Sequence, residues 1–239
     1  MRARQLQRRA RSTERLVELA QLTSGLAHEI KNPLSTIKLN LDLLSEELAS
    51  SGSERDRRNL IRLRRLQDEV QRLHGVLDEF LRFAGKMELH PQVHDLRQLV
   101  EELIDFFRPQ AESSRVVLRA SVPAEPVACS VDAGLFKQAV LNLMINATQA
   151  MTDGGELLLR LDRQEDQAAL EVIDTGPGIE PEACERIFQA YYSTRPGGSG
   201  LGLPLTRRIV RLHGGDVRVH SEPGKGTRFV ICLPLANET

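Results

Sequence analysis

Two rhythms divide the chain. Up to about residue 85 the seam positions recur in threes and fours, as on one face of a helix. They include Leu16, Leu19, Thr23, Leu26, Ile30 and Ile37, with Leu34, Leu41 and Leu48 on a neighbouring stripe. A second run, Leu63, Leu66, Val70, Leu73, Leu77, Phe80 and Ala84, keeps the same alternation without a break. Between them "ASSGSERD" reads as a polar turn, with Ser53 as N-cap of the second helix. The pattern predicts a helical hairpin. Two helices cannot hide two apolar stripes of this width, so a dimer closing a four-helix bundle through residues 1–85 is expected. Packing against the rest of the chain is the alternative.

From about residue 95 helical and alternating stretches mix. "DLRQLVEELIDFFRPQAE" predicts a helix and "RVVLRASV" a strand. "DAGLFKQAVLNLMINATQAM" predicts a long amphipathic helix stopped by Asp153, Gly154 and Gly155. "GELLLRLD" and "QAALEVID" read as paired strands, "LTRRIVRLHGG" as a helix with a glycine stop, and "DVRVHSEPGKGTRFVICLP" as a hairpin. Short turns between neighbouring strands imply α+β, with one mixed sheet and helices on one face. "GKMELHPQVH" reads as the linker, with His90 and His94 as linker residues, so the division falls at 1–88 and 89–239.

Composition narrows the function classes. Charged residues are 27%, yet the net charge is −1, which favours neither nucleic acid nor an acidic partner. Arg2, Arg4, Arg8, Arg9, Arg11 and Arg15 crowd the start. They read as a solvated helix leading out of an upstream segment, or else as a basic arm for nucleic acid or an anionic membrane. Trp is absent and aromatics are 4%, which weakens a base-stacking role. No apolar run is long enough to span a membrane, and no secretory h-region is present. Cys129, Cys184 and Cys232 fit neither a disulfide framework nor a zinc site, and suggest a reduced, cytoplasmic setting.

Three polar clusters carry the candidate chemistry. Gln138, Asn142 and Asn146 stack at i, i+4, i+8 on the long helix. Asn is the poorer helix former of the two amides, and amide oxygens suit Mg²⁺, although an exposed polar face is the alternative reading of the stripe alone. "DTGPGIE" follows a strand: Asp174 can accept from an exocyclic amine, and Gly176 and Gly178 admit a flat ligand, although such a turn is often only a turn. "STRPGGSGLGLPLTRR" feeds glycines, including Gly198, Gly200 and Gly202, into a helix start, a phosphate cradle by geometry and dipole. Arg195 is placed to meet a phosphate. The loop matches neither a Walker nor a Rossmann fingerprint.

The ordered set "LNLMINA", "DTGPGIE", "IFQAYYSTR", "GGSGLGL" and "GKGTRF" resembles the ATP-binding domain of two-component sensor histidine kinases, and "LAHEIKNPL" resembles their phosphoacceptor box. The resemblance runs from about residue 16 to 235 and is in particular to the nitrogen-regulation-like subgroup. It implies an α helical hairpin followed by an α+β sandwich, ATP and Mg²⁺ as cofactors, a homodimer, and a response regulator as partner. It implies that His28 is phosphorylated, that Glu29 is its base, and that Asn32 serves dephosphorylation of the partner. Asn146 would hold Mg²⁺, with Asn142 on the phosphates and Gln138 less clearly involved. Asp174 would bind the adenine amine beside Gly176 and Gly178. Gly198, Gly200, Leu201 and Gly202 would belong to the loop over the phosphates, Phe188 to its anchor, and Thr227 to the nucleotide floor. Two tyrosines in "AYYSTR" replace the phenylalanines of many relatives.

The residues at the first box support a nucleophile. The position four after His28 is Asn32, so a His-Glu-x-x-His metal site fails. A neutral imidazole can attack a phosphoryl group, with Glu29 holding Nδ1–H and accepting the proton. Pro33 cannot donate to the carbonyl of Glu29, so a bend just after His28 is expected. A binding module on a helical scaffold, or another ATPase of the same fold, are the competing classes. Neither needs His28, Asn146, Asp174 and the full glycine loop together.

Overall fold

The structure, a computed structural model, describes residues 30–48, 54–85, 87–195 and 198–236. His28, Glu29, the seam positions before Ile30, the turn residue Ser53 and Gly197 lie outside the described residues. The chain divides into two compact units between Met87 and Glu88.

In the first unit residues 30–48 are helical (α1) and are followed by α2, Glu54–Ala84. The helices are antiparallel in a register written by three polar pairs. Lys31 Nζ meets Asp78 Oδ1 at 2.9 Å, Lys38 Nζ meets Gln71 Oε1 at 3.3 Å, and Gln67 Nε2 meets Asp42 Oδ1 at 2.6 Å. Steps of seven and four residues along α1 are matched by the same steps back along α2. The two apolar stripes of α1 have different fates. Leu34, Leu41 and Leu48 are half-covered, whereas Ile30, Ile37 and Leu44 stay exposed. On α2, Leu63 and Val70 are buried while Leu66 and Leu73 are exposed. One heptad run is thus shared between an inner and an outer face. Pro33 lies within the helical stretch.

The second unit is an α+β sandwich. Its elements are β1 (Gln92–Asp95), α3 (Leu96–Ser113), β2 (Val116–Ser121), β3 (Ala128–Val131), α4 (Ala133–Ala150), β4 (Gly155–Arg163), β5 (Gln167–Asp174), the one-turn α5 (Pro181–Cys184), α6 (Gly202–Leu212), β6 (Asp216–Glu222) and β7 (Gly226–Pro234). The main sheet runs β2-β4-β5-β7-β6, parallel only between β2 and β4, and so is mixed. Alternate strand residues, among them Leu157, Leu159, Leu161, Leu170, Val172, Phe229 and Ile231, meet α3 and α4 through Val100, Phe107, Phe136 and Leu143 in one buried core. The intervening positions carry ion pairs such as Glu171 with Arg160 and Arg228. That alternation is the mark of a sheet covered on one face.

The single expected sheet gains a two-stranded companion, β1 paired antiparallel with β3. Part of the expected linker is therefore strand, and His94 sits in register with Cys129. Four residues are too few for alternation to show. Asp95 is what holds them. Its Oδ1 caps α3 through Arg97 N (3.1 Å) and also accepts from Val127 N (3.0 Å), while Oδ2 meets Arg97 Nη2 at 2.7 Å. Burial pushes the Asp95 carboxyl up, and the Arg97 guanidinium with the two N–H groups outweighs it, leaving the group below the usual carboxylate range.

Candidate nucleotide site

The second cluster meets the "GKGTRF" segment at one end of the main sheet. Asp174 ends β5 opposite Thr227 at the start of β7. Its side chain is 6% exposed, and Oδ1 accepts from Gly176 N (2.9 Å) and Thr227 N (3.2 Å). Oδ2 has no hydrogen bond among the described residues. Burial pushes this carboxyl above its ordinary range, against the two backbone donors and the charge of Arg195. The result is a buried acceptor held rigidly with one oxygen to spare.

Glycines shape the wall around it. A Cβ on Gly176 would lie 2.9 Å from Asp174 Oδ1 and 3.4 Å from Ala150 Cβ, so the turn presses on the end of α4. Gly178 has φ +74, and a Cβ there would lie 2.1 Å from the carbonyl oxygen of Glu222. Ser221 joins the same turn to the β6–β7 hairpin: its Oγ accepts from Ile179 N (2.8 Å), donates to Gly226 O (2.8 Å) and lies 3.0 Å from Thr227 Oγ1. Ser221 and Gly226 are missing from the sequence reading of the site. Gly226 stood within the "GKGTRF" motif, but nothing in the sequence singles out Ser221.

The first cluster faces the glycine loop. Asn142 Nδ2 donates to Gly202 O at 3.4 Å, and Asn146 Nδ2 lies 3.9 Å from where a Cβ on Gly202 would stand. Gln138 has no hydrogen bond to the loop among the described residues. Leu201, the N-cap position of α6, is buried and offers no side-chain cap, so the first N–H groups of α6 remain for a ligand. Pro204 fits the first turn, where its missing N–H costs nothing. Gly200 has φ +68, and a Cβ there would lie 2.7 Å from Tyr192 N. Tyr191 N donates to Gly200 O at 3.1 Å, and Tyr191 itself has φ +63. Phe188 stacks edge-on with Phe229 at 6.4 Å and lies under the Arg207 guanidinium at 5.1 Å, which anchors the segment leading into the loop.

Arg195 reaches back to α4. Its Nη1 donates to Gln149 Oε1 at 2.9 Å and its Nη2 donates to Asn146 O. Burial lowers its pKa and Asp174 opposes that. Ser193 Oγ accepts from Arg195 N at 3.1 Å. The loop arginine, the amide stripe and the buried carboxylate thus form one cluster.

In the first unit Asn32 is exposed on α1, and its carbonyl accepts from Thr36 Oγ1 at 3.1 Å.

Comparisons with known proteins bear on both units. Residues 18–86 match the His Kinase A (phospho-acceptor) domain, and residues 131–237 match the histidine kinase-, DNA gyrase B-, and HSP90-like ATPase domain. The chain is 32% identical over 233 residues to the signal transduction histidine-protein kinase AtoS of Escherichia coli K12, covering 97% of this chain and 37% of that protein. It is 33% identical over 236 residues to the sensor histidine kinase ZraS of the same organism, covering 98% and 50%. Sporulation kinase C of Bacillus subtilis 168 is 28% identical over 235 residues, covering 98% and 53%. The chain thus spans about half or less of these relatives. Among solved structures, full-length ShkA in complex with AMPPNP superposes with a TM-score of 0.74 at 27% identity, over 90% of this chain and 46% of that one. The nucleotide-free catalytic domain of histidine kinase ThkA gives 0.56 at 26%, over 62% and 98%. With a phosphoacceptor hairpin followed by an ATPase sandwich in this order, the chain has the two-domain core of the sensor histidine kinases.

Proposed function

We propose that the chain is an ATP-dependent protein histidine kinase core that phosphorylates itself on His28 and passes the phosphoryl group to an aspartate of a response regulator. The observation that carries the reading is the convergence of Asp174, the Asn142–Asn146 face and the Gly200–Gly202 turn on one end of the second unit. The chain's likeness to ShkA in complex with AMPPNP supports ATP as the nucleotide. The spare oxygen of Asp174 takes the adenine amine between Gly176, Gly178 and Thr227. The free N–H groups at the start of α6, with Gly198, Gly200, Leu201 and Gly202, take the phosphates.

Among the described residues no cluster of three or more His, Cys, Asp or Glu exists to hold a metal. The donor set that remains is amide oxygen, which fits Mg²⁺; Asn146 would hold the ion, with Asn142 beside it. Bound Mg²⁺ supplies charge neutralisation to the triphosphate. The chain does the rest. Glu29 holds Nδ1–H of His28 and orients the ring, leaving Nε2 free. Nε2 attacks the γ-phosphorus, the P–N bond forms as the bond to ADP breaks, and the proton passes to Glu29.

The hairpin serves as the dimerisation and phosphoacceptor domain, residues 1–88, and the sandwich as the catalytic domain, 89–239. The exposed Ile30, Ile37 and Leu44 stripe supports dimerisation through residues 1–85. Asn32, exposed on α1, is assigned to holding water for dephosphorylation of the regulator. Among the described residues no helix is long and apolar enough to cross a membrane. We assign the core to the cytoplasm, with no role in binding nucleic acid. The test is incubation of the chain with labelled ATP and Mg²⁺. Acid-labile, base-stable label is expected on the parent and not on His28→Gln. Label on the variant refutes His28 as the acceptor.

A further inference from the structure

Gln149 has no part in the site as read from the motifs. It lies one turn beyond Asn146 on α4 and is exposed. The structure gives it a specific task. Its Oε1 accepts from Arg195 Nη1 at 2.9 Å, while the neighbouring Nη2 of the same guanidinium donates to the carbonyl of Asn146. The two acceptors lie one turn apart on α4, and together they fix the plane of the guanidinium rather than only its position. The backbone of Arg195 is held as well. Ser193 Oγ accepts from Arg195 N and lies 3.1 Å from Arg195 O, and Gly198 N donates to that same carbonyl at 3.3 Å. The arginine therefore enters the cluster from a tied turn and is clamped at its tip.

The clamp leaves donors over. A guanidinium has five N–H groups, and α4 takes two of them. The charge sits beside Asn146 and is felt by the buried Asp174. Arg195 is half-buried, which strengthens its pull on an anion. A flexible arginine on a glycine-rich loop has to be immobilised at the moment of binding, and that ordering weakens affinity. One already held does not.

We propose that Gln149 is a positioning residue that, with the Asn146 carbonyl, presents Arg195 in a fixed orientation to the phosphates of the bound nucleotide. The inference rests on the nucleotide reading of this site. It makes Gln149 matter through the phosphates alone, and only while Arg195 is present.

Both conditions are testable on the full chain. Gln149→Met keeps the length and helix propensity of the side chain and removes the acceptor. Calorimetric titration with ATP and with adenosine, for the parent, Gln149→Met, Arg195→Ala and the double variant, separates the outcomes. The proposal expects ATP affinity to fall about fivefold to tenfold in Gln149→Met, somewhat less than the range of a charge-assisted hydrogen bond because the glutamine is exposed. Adenosine affinity is unchanged, and Gln149→Met has no further effect once Arg195 is alanine. Tighter ATP binding in Gln149→Met overturns the proposal, because Gln149 then competes with phosphate for the arginine. An equal loss in the Arg195→Ala background overturns it too, because Gln149 then acts on the nucleotide directly, as does an unchanged ATP affinity. A parent that binds neither ligand refutes the nucleotide reading itself, and is distinguishable from all of these.

Discussion

The backbone N–H of Asp132 donates to Nε2 of His213 at 2.9 Å, and Nδ1 of the same ring lies 2.8 Å from the carbonyl oxygen of Ile209. One ring nitrogen accepts and the other donates, so the imidazole is neutral and carries its proton on Nδ1. The bond joins the cap of α4 to the end of α6. Farther along, Thr206 Oγ1 donates to Ala139 O at 3.4 Å, and Asn142 Nδ2 donates to Gly202 O at 3.4 Å. The two helices that frame the nucleotide site are antiparallel and tied at the base, the middle and the mouth.

His213 is buried, so the tie has an energetic consequence. Replacing it by alanine leaves a cavity and an orphaned N–H, with an expected loss of about 2–4 kcal/mol in stability. His213→Gln can still donate and accept, and should recover part of that loss. Urea denaturation of the three chains measures it, and equal stabilities of Ala and Gln variants would show that the ring acts by volume alone.

Asp174 trades stability for binding. Its folded carboxyl is raised by burial, so ionising it weakens the fold as pH rises through the raised value. Asp174→Asn keeps an oxygen for Gly176 N and Thr227 N and removes the buried charge. At neutral pH the variant should melt higher than the parent. ATP binding should weaken by about 1.5–3 kcal/mol. Thermal melts and titration calorimetry check the two signs separately.

Asp95 works in the opposite direction. Its carboxyl is held below the usual range, so its contribution is present above the unfolded value and is lost as pH falls through the folded one. Asp95→Ala removes a helix cap, a forked contact to Arg97 and the acceptor of Val127 N. About 2 kcal/mol of destabilisation is expected at neutral pH. The gap between parent and variant should narrow in acid, below pH 4, as stability curves across pH would reveal.

The exposed stripe of α1 predicts the oligomeric state. Ile37→Glu with Leu44→Glu places charges on an apolar face. Light scattering should show a dimer for the parent and a monomer for the double variant, with ATP binding retained. A dimer that survives both substitutions would place the interface elsewhere.

Much of this architecture was legible because it repeats. The hairpin follows from heptads, the core strands from alternation, and the amide stripe from its spacing of four. What escaped is short or non-local. β1 and β3 have four residues each and exist through Asp95, whose partner Val127 lies 32 residues away. Which stripe of α1 faces α2 depends on the rotation of the helix, and the heptad alone does not set that. Arg195 was legible as a charge on a glycine-rich loop. Its seat on Gln149, 46 residues away in sequence, was not. His94 read as linker because one polar strand residue looks like any other.

The matched pairs along α1 and α2 also constrain how the hairpin can change length. Residues added in the connecting turn leave Lys31–Asp78, Lys38–Gln71 and Asp42–Gln67 opposite one another. A single residue inserted in α1 between Lys31 and Lys38 rotates one part of the ladder by about 100° against the other. Only a compensating insertion at the same level of α2 restores the match. Gaps and additions among hairpins built this way should therefore collect in the turn or arrive in pairs, one on each helix at the same height.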